Sequence, residues 1–236
     1  MTDSPFPATL LDYNGLLVDD EHVHLEAFRA VLAPLGISLT EATYWDRYLG
    51  YDDAGAFAAI LGDHGREADE GEVARLVEAK RPEYLARARG ALRTFPGAAA
   101  LVRRRATAGP IVVVSGALRD EIELGLATLG VRELVAGIVA AEDTRRCKPD
   151  PEGYLLGVEA LARVTARAAA ERALAFEDSL AGIAAARAAG LACAAVTHSY
   201  PRASLESAGA LLVADHLDTL DEAALARAAA EARARP

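Results

Sequence analysis

The sequence predicts an α/β protein, a doubly wound parallel sheet core interrupted by an inserted α-helical cap domain. Three observations predict it. Short, fully apolar runs alternate with helical patterns, which indicates parallel strands covered on both faces. About 100 residues without a convincing strand separate the first run from the second, too long for a loop. Finally, polar residues cluster at the ends of these runs, where open α/β sheets bind ligands.

The runs are ATLLDY (8–13), PIVVVS (110–115), GIVAA (137–141), ALAFE (173–177), ACAAVT (192–197) and ALLVA (210–214). Each has the length of a strand. Connecting helices are expected over 97–108, 117–129, 151–163 and 180–189, with Gly130 and Gly190 as C-terminal stops. In the long interval, Val23, Phe28, Val31, Leu32 and Leu35 recur at helical spacing over 21–35. Further helical patterns follow over 40–49, 53–62 and 70–89. The expected division is a core of residues 1–20 and 93–236 and a helical cap of 21–92. An insert leaving the end of the first strand is expected to act as a lid over the ligand site. The Ala/Arg/Glu-rich tail from Asp221 reads as a terminal surface helix.

Composition narrows the function. With 52% hydrophobic and 25% charged residues, the 236-residue chain has the balance of a soluble globular protein. A net charge of −10 argues against a nucleic-acid surface. No apolar run reaches membrane-spanning length, and the first residues carry no secretory pattern. Cys147 and Cys193 form neither a metal motif nor a disulfide framework, so a cytoplasmic location is expected. Of 25 basic residues only Lys80 and Lys148 are lysines, which raises a question about each. Lys80, in VEAKRPEYLAR, reads as the solvated face of a helix.

Four polar features fall at or after strand ends: Asp12, Ser115 with Gly116, Lys148 in RRCKPDPEGY, and Glu177-Asp178 in LAFEDSLAGI. Singly they read as a turn residue, a helix cap, a loop lysine and an N-cap. Together they describe a phosphoryl-transfer site. Such a site needs a positive clamp, hydroxyl and backbone donors and usually Mg²⁺, an ion that takes oxygen ligands. Asp12 and Asp178 supply carboxylates for the ion, with Glu177 acting through water. Lys148 offsets charge, Ser115 donates to a phosphoryl oxygen, and Gly116 lets backbone N–H groups approach. An aspartate such as Asp12 is an established covalent nucleophile.

The order D-x-x-G, S-G, K-P-D-P and E-D-S-x-x-G-I over essentially the whole chain resembles the haloacid dehalogenase-like hydrolases. The nearest subgroup is that of β-phosphoglucomutase and phosphoglycolate phosphatase, whose Rossmann-like core carries a helical cap after the first motif. The resemblance implies a phosphatase acting on a small phosphorylated metabolite through an aspartyl phosphate, with Asp12 as nucleophile. It also implies Lys148 as the third-motif lysine, Asp178 as magnesium carboxylate with Glu177 beside it, and the Asn14 backbone carbonyl as a magnesium ligand.

Asn14 departs from that pattern, since phosphatases and mutases of the family have an acid/base aspartate there. An amide has no titratable proton and cannot serve as the shuttle. Either another group substitutes, or the leaving group needs little protonation. The nearby candidates are Asp20, where Ser or Thr is usual, and His24, which matches a histidine at the cap entry. Asp20, with Glu21, also suits the first turn of a helix. In the cap, Leu49-Gly50-Tyr51-Asp52-Asp53 resembles the substrate-specificity loop, where Tyr51 is a candidate substrate contact. Asp53 stands where β-phosphoglucomutase binds a second phosphate, which disfavours phosphoglucomutase-like transfer. The magnesium carboxylates count against dehalogenation, and the reading of Lys80 against phosphonatase. The rival from another class is an impaired protein that binds a phosphorylated ligand. The Asn14-Gly15 pair is also of the kind prone to deamidation.

Overall fold

In the computed structural model, which describes residues 4–67 and 69–234, the apolar runs assemble into one parallel six-stranded sheet. The strands are β1 (Thr9–Leu11), β4 (Ile111–Val114), β5 (Val135–Val139), β6 (Leu174–Glu177), β7 (Ala192–Val196) and β8 (Leu212–Ala214), in the order β5-β4-β1-β6-β7-β8. A two-stranded ribbon of β2 (Val18–Asp19) and β3 (Arg93–Thr94) stands where the chain passes between two compact units. One unit runs to Val18 and resumes at Thr94, and the other is Asp19–Arg93.

The sheet unit carries helices on both faces, as its all-apolar strands require. They are α5 (Ala98–Ala108), α6 (Arg119–Thr128), α7 (Glu152–Ala162), α8 (Arg167–Ala170), α9 (Leu180–Ala188), α10 (Arg202–Ser207) and α11 (Glu222–Ala234). Gly130 and Gly190 follow α6 and α9 with φ of 62° and 80°, the left-handed conformation that stops a helix. The core packs Leu10, Val112, Val114, Ala175, Ile183 and Ala195 with Tyr154 and Leu161 of α7. α11 is anchored: Leu225 and Ala229 are buried, and Glu222 pairs with the buried Arg105. The last two residues of the expected terminal helix lie outside the described residues.

Two boundaries differ from the sequence expectation for local reasons. β5 begins at Val135 because the Arg132–Leu134 3-10 turn leads directly into it, and Ala141–Asp143 is already a turn. α6 starts at Arg119 because Ser115 to Leu118 form a turn in which the Ala117 N–H donates to Ser115 Oγ. Ser115 therefore does not cap that helix.

The helical unit holds α1 (Glu21–Leu32), α2 (Glu41–Arg47), α3 (Asp53–Asp63) and α4 (Glu70–Ala88). Thr40, Asp52 and Asp69 cap α2, α3 and α4 with side-chain oxygens. α1 ends at Leu32 because Pro34 and the left-handed Gly36 turn the chain through a 3-10 segment. Leu25, Phe28, Leu32, Phe57, Ile60 and Leu61 form its core, with Phe28 and Phe57 edge to face at 4.8 Å. Among the described residues no helix is long and apolar enough to cross a membrane.

Lys80 corrects the sequence reading. It is fully buried, on the α4 stripe shared with Tyr84 and Ala88, not on a solvated face. Its ammonium donates to Asp53 Oδ1 at 2.6 Å and to His24 Nδ1 at 2.7 Å, and lies 4.6 Å from the Phe28 ring centroid. A buried ammonium requires such partners, because desolvating an unpaired charge is costly.

Candidate active site

The sheet topology brings the polar strand ends together. β1 lies between β4 and β6, so the residues that follow or close these strands, Asp12, Ser115 and Glu177-Asp178, emerge side by side. The loop after β5 brings Lys148 to the same edge, where it meets Asp12 and Glu177.

Lys148 organises the cluster. Its three N–H groups donate to Asp12 Oδ1 (2.6 Å), Glu177 Oε1 (2.6 Å) and the Val114 carbonyl (3.1 Å). Burial alone would lower its pKa, but Asp12 and Glu177 outweigh that, and it is raised above the usual lysine range. The ammonium therefore stays charged at every pH relevant to catalysis.

Three carboxylates face this one ammonium. Asp12, Glu177 and Asp178 are buried, with ligand oxygens within 4.8 Å of one another. Burial, and next the charge of Glu177, push Asp12 up to about 7. Burial, then Asp12 and Glu177, push Asp178 well above the ordinary range. Excess negative charge held in place fits a hard divalent cation with oxygen ligands.

The surrounding glycines leave room for these groups. A Cβ at Gly182 would lie 1.9 Å from the Glu177 carboxyl carbon, so only glycine lets α9 pack there. Gly15 has φ of 74°, and a Cβ on it would fall 2.1 Å from Asp178 Oδ2. Protein donors already fill both oxygens of Glu177. Oε1 accepts from Lys148 and the Tyr154 hydroxyl (2.7 Å), and Oε2 accepts from Ser179 Oγ (3.1 Å) and the Asp178 N–H (3.3 Å). Ser179 also caps α9 through the Gly182 N–H.

Asn14 and Ser115 join the cluster, with Ser115 Oγ donating to Asn14 Oδ1. Gly116 follows with an exposed backbone. The remaining candidates belong to the helical unit. Asp20 and His24 are buried in that unit's own network: Asp20 Oδ2 accepts from the Tyr84 hydroxyl (2.5 Å) and lies 3.3 Å from His24 Nε2. Because His24 Nδ1 accepts from Lys80, its proton sits on Nε2, toward Asp20. Tyr51 lies on the loop before α3 and is 56% exposed, while its neighbour Tyr48 is buried and donates to Asp63.

Three further residues at the sheet edge were not singled out by the sequence reading. Tyr154 supports Glu177, Ser199 Oγ donates to Asp178 Oδ2, and His198 Nδ1 donates to the Gly15 carbonyl at 2.7 Å. Tyr154 stands in the KPDPEGY stretch, so its spacing from Lys148 was the available signal. His198 and Ser199 follow β7, and only the strand order places them near Asp178.

Known proteins of one family resemble this chain. The family model for haloacid dehalogenase-like hydrolases matches residues 6–190. Validoxylamine A 7'-phosphate phosphatase from Streptomyces hygroscopicus subsp. limoneus is 30% identical over 216 residues, covering 88% of this chain and 93% of that protein. A crystal structure of an Asp→Asn mutant of CbbY from Rhodobacter sphaeroides, in complex with xylulose-1,5-bisphosphate, has a TM-score of 0.78 and 29% identity, covering 91% of this chain and 96% of that one. β-Phosphoglucomutase from Clostridium difficile shares the fold, with a TM-score of 0.82 at 21% identity over 98% of this chain and all of that one (100%). The chain belongs to the haloacid dehalogenase-like hydrolases, in the subgroup of β-phosphoglucomutase and its related phosphatases.

Proposed function

We propose that the chain is a Mg²⁺-dependent phosphatase that hydrolyses a small phosphorylated metabolite through an aspartyl phosphate on Asp12. The observation that carries this reading is Lys148 bonded at once to Asp12 and Glu177 at 2.6 Å, with Asp178 beside them. The phosphatase among the relatives supports the reaction class, and the bisphosphate-bound relative supports a phosphorylated ligand.

Asp12, Asp178 and the Asn14 backbone carbonyl would hold Mg²⁺, with Glu177 behind them because its oxygens already have protein partners. The ion supplies positive charge against the phosphoryl oxygens. In the first step an Asp12 carboxylate oxygen bonds to phosphorus as the bond to the leaving oxygen breaks. Lys148 keeps Asp12 oriented and offsets its charge. Ser115 and the Gly116 backbone bind phosphoryl oxygens, and Asn14 orients the leaving oxygen by hydrogen bonding. Water then attacks phosphorus, releasing phosphate and restoring the Asp12 carboxylate. Since the Asn14 amide transfers no proton, substrates with good leaving groups are hydrolysed preferentially. Tyr51, exposed on the loop before α3, is assigned to substrate contact from the cap, while Asp20 and His24 stay engaged by Tyr84 and Lys80 within the helical unit, and the protein acts in the cytoplasm.

Hydrolysis of p-nitrophenyl phosphate with Mg²⁺, compared between wild type and Asp12→Ala, tests the reading. Turnover lost in Asp12→Ala and in EDTA is expected. Tight binding of phosphorylated ligands without wild-type turnover would instead support the non-catalytic reading that Asn14 favours.

A further inference from the structure

The loop that follows β7 reaches two separate parts of the phosphoryl site with two consecutive residues. His198 Nδ1 donates to the Gly15 carbonyl at 2.7 Å, and Ser199 Oγ donates to Asp178 Oδ2. The carbonyl only accepts, so the Nδ1 tautomer of His198 is fixed by this bond. The imidazole is itself held, stacked on Phe95 with centroids 3.8 Å apart and planes inclined by 13°. Phe95 in turn donates its N–H to the Leu17 carbonyl at 3.1 Å. The chain segment from Gly15 to Leu17 is thus gripped at both ends by one stacked pair.

This grip controls the turn that carries Asn14. The Gly15 N–H, which shares a peptide plane with the Asn14 carbonyl, donates to the Val18 carbonyl at 2.9 Å. His198 fixes the next plane through the Gly15 carbonyl. Gly15 is left-handed and is the one residue whose backbone rotates freely between the two planes. With both planes held, the Asn14 carbonyl keeps one direction. Ser199 does the same for Asp178, whose carboxylate sits where a Gly15 Cβ would be.

We propose that His198 and Ser199 are positioning residues, which hold the Asn14–Gly15 turn from β1 and the Asp178 carboxylate from β6 in a fixed relation. The proposal rests on the reading of Asp12, Asp178 and the Asn14 carbonyl as the metal-holding set. Oriented supports of metal ligands typically change affinity by about 10–100-fold when removed.

The test titrates Mn²⁺, as a paramagnetic stand-in for Mg²⁺, into metal-free protein and reads free Mn²⁺ by electron paramagnetic resonance. His198→Phe retains the stack on Phe95 and removes the donor, and Ser199→Ala removes the hydroxyl. Each is expected to weaken Mn²⁺ binding by about tenfold. His198→Asn, whose amide restores a donor, and Ser199→Thr are expected to recover most of that loss. Loss of kcat at saturating phosphate ester should exceed any change in KM. Wild-type binding with unaltered affinity in both His198→Phe and Ser199→Ala would overturn the positioning assignment alone. Absence of Mn²⁺ binding by the wild type would overturn the metal reading and this inference with it. If either variant unfolds in thermal melts, the rescue pair decides: weak binding by folded His198→Asn and Ser199→Thr also counts against the proposal.

Discussion

Ser115 Oγ donates a hydrogen bond to Asn14 Oδ1 across 3.2 Å while accepting one from the Ala117 N–H at 3.1 Å. The bond fixes the amide of Asn14, with its carbonyl oxygen toward the serine. Asn14→Asp keeps that acceptor and the side-chain shape while adding a group that titrates. Turnover of p-nitrophenyl phosphate with Mg²⁺ is expected to rise by about 10²-fold, the lower end of general acid–base contributions. Steady-state release of p-nitrophenol measures it. An unchanged rate would show either that another group already moves the proton or that this leaving group needs none.

The same contacts decide the fate of the Asn14–Gly15 pair. Deamidation requires the Gly15 nitrogen to attack the Asn14 side-chain carbonyl. In the fold that nitrogen's N–H is bonded to the Val18 carbonyl at 2.9 Å, and the side chain is tethered to Ser115. Folded protein is expected to retain Asn14 during incubation at neutral pH, while urea-unfolded protein converts. Peptide mapping of both samples after equal times reads the difference.

In the helical unit the fully buried Lys80 pairs at 2.6 Å with Asp53, which is partly buried. Asp53→Ala leaves the ammonium without its carboxylate and is expected to destabilise the protein by about 3 kcal/mol. Lys80→Met added to Asp53→Ala is expected to recover much of that loss, since the long apolar stem still fills the site. Urea denaturation of the single and double variants gives the coupling.

Asp12 gives the pH dependence its sign. Its folded pKa of about 7 lies above the ordinary 3.8, so between these values the metal-free native state binds more protons than the unfolded chain. Stability of metal-free protein is therefore expected to fall as pH rises through that window. Thermal melts in EDTA should show a decreasing Tm from about pH 4 to about pH 7, and Asp12→Asn should flatten the slope. Added Mg²⁺ should oppose the fall, because the ion favours the ionised carboxylates.

The sheet was legible in the sequence because parallel strands buried on both faces leave continuous apolar runs, as in IVVV and LAFE. Family and fold followed from the residues at the ends of those runs. Asp12, Asn14, Ser115, Lys148, Glu177 and Asp178 do converge at one sheet edge. Tertiary pairing was not legible. Lys80 looked solvated because its partners Asp53 and His24 lie 27 and 56 positions away. Asp20 and His24 looked available for the missing proton transfer for the same reason, and Tyr84 and Lys80 occupy them in the fold. His198 escaped notice because neither its neighbours nor its spacing mark it, and only the β6–β7 adjacency gives it a place.

The two cysteines differ in a way that gives the protein a native attachment point. Cys193 is buried in β7, where burial, and next the charge of Glu177, push its thiol up and keep it inert. Cys147 is exposed and immediately precedes Lys148, the residue bonded to Asp12. A maleimide fluorophore therefore has one address on the untouched sequence, next to the ammonium on which the site is built. Its emission offers an optical record of ligand arrival that needs no turnover at all.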